Sequence, residues 1–128
     1  MDWKRHPEDR WTYYQEETFN GYVYRVSISV YEWKKSTKFW VAASSGKKRK
    51  EKDIFEEKEN KSLGGMKALL WIKNKMFEFP KWYNSTDENQ YILVHWADSR
   101  RRDIYQRLIK EGFQFMVDDG RKILMKKL

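Results

Sequence analysis

Residues 22–43 read YVYRVSISVYEWKKSTKFWVAA. Tyr22, Tyr24, Val26, Ile28 and Val30 take every second position, with Arg25, Ser27 and Ser29 between them. A period of two is the mark of a strand with one face buried and the other wet. Lys34, Lys35, Ser36 and Thr37 interrupt the pattern, and Phe39, Val41 and Ala43 resume it. The two runs therefore predict an antiparallel hairpin. Trp33 and Trp40 stand on its opposite arms and are candidates to pair across it.

Upstream, residues 1–21 mix aromatic and charged side chains without a clean period and are read as an irregular segment, with Asp9 able to open a short helical turn. Downstream, Gly46 with Lys47, Lys48, Arg49 and Lys50 predicts a turn, and a weaker strand around Asp53 to Glu57 follows as an edge or ribbon arm. Ser62 is placed to accept a backbone N–H of a first helical turn, and Leu63, Met66, Leu69, Leu70, Met76 and Phe77 recur at helical spacing. That helix is predicted to run to about Phe79, with Pro80 as its stop. The run from Tyr91 to Trp96 is apolar on both faces, as a central strand covered on two sides should be.

Asp98 or Ser99 caps a second helix carrying Ile104, Tyr105, Leu108 and Ile109, and Gly112 stands where a helix needs a left-handed terminating residue. Phe113, Phe115 and Val117 alternate into Asp119-Gly120, a strong hairpin signal leading to Ile123 and Met125. The expected fold is α+β: one domain over residues 1–128, a mainly antiparallel sheet and two helices in the order β-β-β-α-β-α-β-β, with a parallel pair or splay near Tyr91 to Trp96.

The 128 residues carry 27 Lys plus Arg against 19 Asp plus Glu, a net charge of +8. Seven Trp, eight Tyr and seven Phe supply material for a core despite 36% charged residues. No window approaches the roughly 18 uninterrupted apolar residues of a membrane span, and the start is charged rather than an apolar leader. No membrane association is expected. The absence of Cys removes disulfides, thiol catalysis and Cys-ligated zinc, and cytoplasm is the expected compartment.

From about residue 22 to 126, the order of elements resembles the GNAT superfamily of N-acyltransferases. In that family a meander leads to a loop and helix that cradle the pyrophosphate of coenzyme A. A strand, a helix, a Gly-Phe step and a closing hairpin follow. Backbone N–H groups at a helix start bind phosphate, and glycine lets the backbone come close. The family loop runs Gln or Arg, two residues, Gly, one residue, Gly or Ala; here Lys61, Ser62, Leu63, Gly64, Gly65 and Met66 occupy it. Lys61 keeps the charge and Gly64 the first glycine, while Met66 takes the place of the second small residue, so the motif is degenerate.

The resemblance makes Lys61, Gly64, Gly65, Arg100 and Arg101 the candidate cofactor contacts, acetyl coenzyme A the implied cofactor, and an amine the acceptor. The family's proton-donating Tyr falls on Leu108; Tyr105 lies one turn earlier and His95 follows the buried strand, and these two are the candidate catalytic residues. Both also suit plain packing. Glu56 and Glu57 are further general-base candidates. The strand and two helices that open family members have no room in residues 1–21, so the acceptor side is expected to be trimmed.

Lys47, Lys48, Arg49, Lys50 and Lys52 place five positive charges in six positions at a hairpin tip, a shape that reaches phosphates or is simply a solvated loop. Arg100, Arg101 and Arg102 oppose the dipole of the second helix, which local pairing with Asp98 and Asp103 or a bound anion would offset. Seven Trp exceed one small core, and surface Trp and Tyr can anchor partners or stack on bases. The broken glycine pattern and the displaced tyrosine favour a binding protein without a cofactor, its partner a nucleic acid or an acidic protein surface. The alternative is an N-acetyltransferase using acetyl coenzyme A.

Overall fold

The computed structural model describes residues 3–46, 51–53, 65–95 and 102–128. Strands β1 (Lys4–Arg5), β2 (Thr12–Phe19), β3 (Tyr22–Trp33), β4 (Ser36–Gly46) and β5 (Glu51–Asp53) precede helix α1 (Gly65–Tyr83). Strand β6 (Asn89–His95), helix α2 (Arg102–Lys110), and strands β7 (Gln114–Asp118) and β8 (Arg121–Lys127) complete the chain. The sheet runs β1-β2-β3-β4-β6-β8-β7, with β5 pairing β4 off that path. Among the described residues every pairing is antiparallel except β4 with β6. This is the expected α+β architecture, parallel pair included, with two strands added at the front.

Those strands correct the reading of residues 1–21 as irregular. β2 pairs β3 from Thr12↔Ser29 to Phe19↔Tyr22. Its core-facing row is Tyr13, Gln15, Glu17 and Phe19, and the two polar residues in the middle hide the period of two from the sequence. Asn20 and Gly21 close this hairpin with φ of 51° and 78°. Asp119-Gly120 repeats the geometry at 50° and 77°, and Lys34-Lys35 adopts it at 49° and 64°. Two successive positive φ values match the right-handed twist of the flanking strands.

The crossovers β4-α1-β6 and β6-α2-β7 advance in the same direction across the sheet, so right-handed connections place both helices on one face. The core agrees: Val26, Ile28, Phe39, Val41, Ile92 and Leu124 of the sheet cluster with Ala68, Ile72, Met76 and Phe79 of α1 and Leu108 of α2. Each Val, Leu, Ile, Phe or Met among these contributes about 1.5–3 kcal/mol on burial. The buried stripe of α1 is offset from the predicted one, and Leu70 faces solvent at 39% exposure.

α1 also runs through Pro80 to Tyr83 instead of stopping. Proline removes one helical hydrogen bond, but Phe79 is fully buried and packs edge-on to Trp3 and Phe39 with centroids 4.8 and 5.7 Å away. Asn84, at φ 57°, ends the helix, its N–H donating to Pro80 O at 3.0 Å. α2 ends as predicted: Phe113 N–H donates to Leu108 O and Gly112 N–H to Ile109 O, each at 3.0 Å. Gly112 has φ 100°, and Phe113 and Leu108 are both buried, which completes a Schellman motif.

β4 and β6 pair from Ser36↔Asn89 to Val41↔Val94. From Ser44 onward the same edge of β4 pairs β5, with Ser44 opposite Asp53. The predicted weaker strand therefore begins two residues early, and its continuation to Glu57 lies outside the described residues, as does the Ser62 cap.

Candidate functional site

Strand alternation sends Tyr24, Val26, Ile28 and Val30 to the helices and Arg25, Ser27, Ser29, Tyr31 and Trp33 to the opposite face, which no described helix covers. Tyr31 and Trp33 are 55% and 74% exposed there. An open groove of about 740 Å³ crosses this face, lined by Tyr31, Trp33, Lys34, Lys38, Trp40 and Arg121, with Ser29 and Ser36 between them. Lys34 carries its Nζ 5.7 Å from the centroid of the Trp33 ring.

Register builds a regular row across this face. Tyr31 lies opposite Lys38, Lys38 beside Tyr91, and Tyr91 opposite Lys127. Directly paired residues share a face, so aromatic and cation alternate across β3, β4, β6 and β8. Trp33 and Trp40 are not partners: Trp33 lies opposite Ser36, and Trp40 opposite Ser29.

Glu32 of β3 and Glu16 of β2 are turned away from this face or neutralised by a cation. Glu32 sits between Tyr31 and Trp33 but points to the helix side, where Tyr83 Oη donates to its Oε1 at 2.7 Å. Burial, reinforced by that bond to a carboxylate, pushes the Tyr83 phenol up to about 12. Glu16 on β2 pairs with Arg25 at 3.3 Å, and Arg25 also lies 4.5 Å from the Tyr14 ring centroid. Among the described residues that line the groove there is no carboxylate.

Lys34 and Lys35 hold the turn beside the groove in left-handed backbone, which L side chains other than Asn and Asp rarely adopt. Strain of this kind gathers at binding sites.

The described residues among those singled out from the sequence do not line this groove. His95 ends β6, half-buried and opposite Ile123 on the helix-free face. Tyr105 lies in α2 and Arg102 begins that helix, Gly65 begins α1, and Lys52 lies in β5. Lys47, Lys48, Arg49, Lys50, Lys61, Gly64, Arg100 and Arg101 lie outside the described residues. Leu108, where the expected resemblance would put a proton-donating Tyr, is buried in the core. The groove was foreshadowed by Tyr31 and Trp33, two large aromatics on the wet face of an alternating strand. Nothing local announces Arg121 as a lining residue, or Tyr91 and Lys127 as members of the row on the same face, because register and sheet order bring them there.

No protein-family model matches the chain, and no curated protein or solved structure is similar to it.

A second, smaller groove of about 390 Å³ lies on the helical side between Lys73, Gln106, Arg107, Lys110 and Glu111. Lys73 and Glu111 pair there at 2.8 Å, which ties α1 to the end of α2 and holds the Glu111 carboxyl below the usual carboxylate range. Among the described residues, no three His, Cys, Asp or Glu side chains gather to hold a metal ion, and no helix is long and apolar enough to cross a membrane.

Proposed function

We propose that this chain is a small basic binding protein for an anionic partner, and that the partner is a nucleic acid held on the helix-free face of the sheet. The observation that carries this reading is the groove itself: Lys34, Lys38 and Arg121 interleave with Tyr31, Trp33 and Trp40, with no carboxylate among the described lining residues. Cations on such a face attract phosphates through counterion release, and exposed rings offer stacking platforms for bases. An acidic protein surface would use the cations and pack on exposed rings as well; what favours nucleic acid is the alternation of ring and cation across the face, which matches the alternation of base and phosphate. Lys47, Lys48, Arg49, Lys50 and Lys52 add to the positive balance of the chain that would attract such a partner.

The test is retention of the full chain on immobilised nucleic acid as salt is raised. Substituting Lys34, Lys38 and Arg121 by Ala should lower the eluting salt concentration without lowering the melting temperature. Retention that ignores both salt and these substitutions would refute the reading.

A second reading, N-acetyl transfer from acetyl coenzyme A to an amine, draws on the parallel β4–β6 pair that opens after Val41 and on the order of elements shared with the GNAT fold. In that arrangement the cofactor enters where the parallel strands part. Here β5 takes the edge of β4 from Ser44, three residues past the opening, and Met66 and Leu108 replace the expected small residue and acid. A thermal shift on adding acetyl coenzyme A separates the two readings, because a ligand selective for the folded state raises its apparent stability.

A further inference from the structure

Resting on the nucleic-acid reading, we infer that the helix-free face takes a single strand rather than a duplex. The strand lies across β3, β4, β6 and β8, its bases on Tyr31, Trp33 and Tyr91 and its phosphates on Lys34, Lys38 and Lys127. Three features of the site select this partner.

The first is shape. The major groove of duplex DNA is about 12 Å wide and admits a helix or a two-stranded ribbon. Seven strands about 4.8 Å apart make a face roughly 30 Å wide, which cannot enter it. Without entry to that groove, the rings and cations of this face meet the bases of a strand only where the bases are unpaired and laid against it.

The second is spacing. Tyr31 and Tyr91 lie two strands apart in the register row, and so do Lys38 and Lys127. Like residues therefore recur about every 10 Å along the row. Bases stacked in a duplex are about 3.4 Å apart, with both faces covered by their neighbours. Rings separated as these are can be satisfied only by bases splayed out of a continuous stack, as single-stranded nucleic acid permits.

The third is the chemistry of the row. Aromatic and cation alternate one for one, which is the sequence of base and phosphate along a nucleic-acid strand. A site for phosphates alone would need only the Lys side chains, and a protein docking surface would not need the rings to be interleaved with cations.

The experiment compares the full chain binding a labelled twelve-nucleotide RNA strand of mixed sequence with the same strand annealed to its complement, at one salt concentration. The single strand should bind at least about ten-fold tighter than the duplex. Combining Tyr31→Ala with Trp33→Ala should weaken single-strand binding by about ten-fold or more and leave duplex binding unchanged. Both side chains are largely exposed, so an unchanged melting temperature checks that the variant folds. Lys38→Ala should flatten the salt dependence by about 0.7 in log–log slope. Equal affinity for strand and duplex, or a double variant that binds the single strand as the parent does, overturns this inference while the nucleic-acid reading survives. Failure to bind either form at low salt overturns both.

Discussion

The Phe79 and Tyr83 rings stack one helical turn apart in α1, centroids 5.7 Å apart and planes 27° from parallel, on either side of Pro80. The residue before a proline that should end the helix is enclosed by rings from three elements, since Phe79 also meets Tyr13 of β2 at 5.5 Å and Phe39 of β4 at 5.7 Å. The tertiary contacts of this cluster outweigh the lost helical hydrogen bond. They also seat Tyr83 against Glu32, which strand alternation has already turned to the helix side.

Phe79→Ala should therefore destabilise the fold by about 3–5 kcal/mol in urea unfolding, the range for truncating a fully buried aromatic. Trp33→Ala, at a 74% exposed position, should change stability by less than about 0.5 kcal/mol. A mild Phe79→Ala would mean that the aromatic cluster does not hold the helix past Pro80.

Much of the fold is legible in the residues themselves. The β3–β4 hairpin follows from alternation, the end of α2 from Gly112, and the β7–β8 hairpin from Asp119-Gly120. β2 was hidden because Gln15 and Glu17 occupy its core-facing row, although Asn20-Gly21 is as good a hairpin signal as Asp119-Gly120. Pro80 misled because its usual effect is local and the opposing effect is tertiary. The groove was legible only in part: Tyr31 and Trp33 are anomalous on a wet strand face. Tyr91 and Lys127 join them through the parallel β4–β6 register, which no local pattern encodes. The basic run Lys47–Lys50 was conspicuous in the sequence, and its place relative to the groove lies outside the described residues.

Gly112→Ala should destabilise by about 1–2 kcal/mol, because φ of 100° suits glycine and strains any L side chain. The added Cβ would also stand 2.5 Å from Lys126 Nζ, which donates to Glu111 O at the carbonyl end of α2. Lys126 must then withdraw and leave that carbonyl and the helix dipole without their cation. A lowered melting temperature with loss of helical signal at the α2 terminus in amide exchange is the expected result.

Raising pH should expose the Tyr83–Glu32 bond. The folded state holds the Tyr83 proton up to about 12, whereas the unfolded chain releases it near the ordinary 10.0. The contribution is thus whole below pH 10, falls as pH rises between the two values, and is gone above the folded one. Titration of phenolate absorbance should reveal a late tyrosine that Tyr83→Phe abolishes and Glu32→Gln brings earlier. A Tyr83→Phe variant with an unchanged alkaline limb in its stability profile would contradict this assignment.

The turn at Lys34-Lys35 should set stability against binding. Both residues sit at positive φ, where the other two hairpins place Asn20-Gly21 and Asp119-Gly120. Relieving the pair as Lys34→Asn with Lys35→Gly should stabilise the protein by about 1–2 kcal/mol, since an L residue in left-handed backbone costs about that much at each position, Asn relieves its share only in part, and Gly returns some of its gain through greater freedom in the unfolded chain. The same change removes the Lys34 ammonium that lines the groove over Trp33, so affinity for a single strand should fall and its salt dependence should flatten. Thermal melts and salt-dependent oligonucleotide binding on one variant read both effects. A variant that is more stable and binds as tightly as the parent would show that the strained lysines take no part in holding the strand.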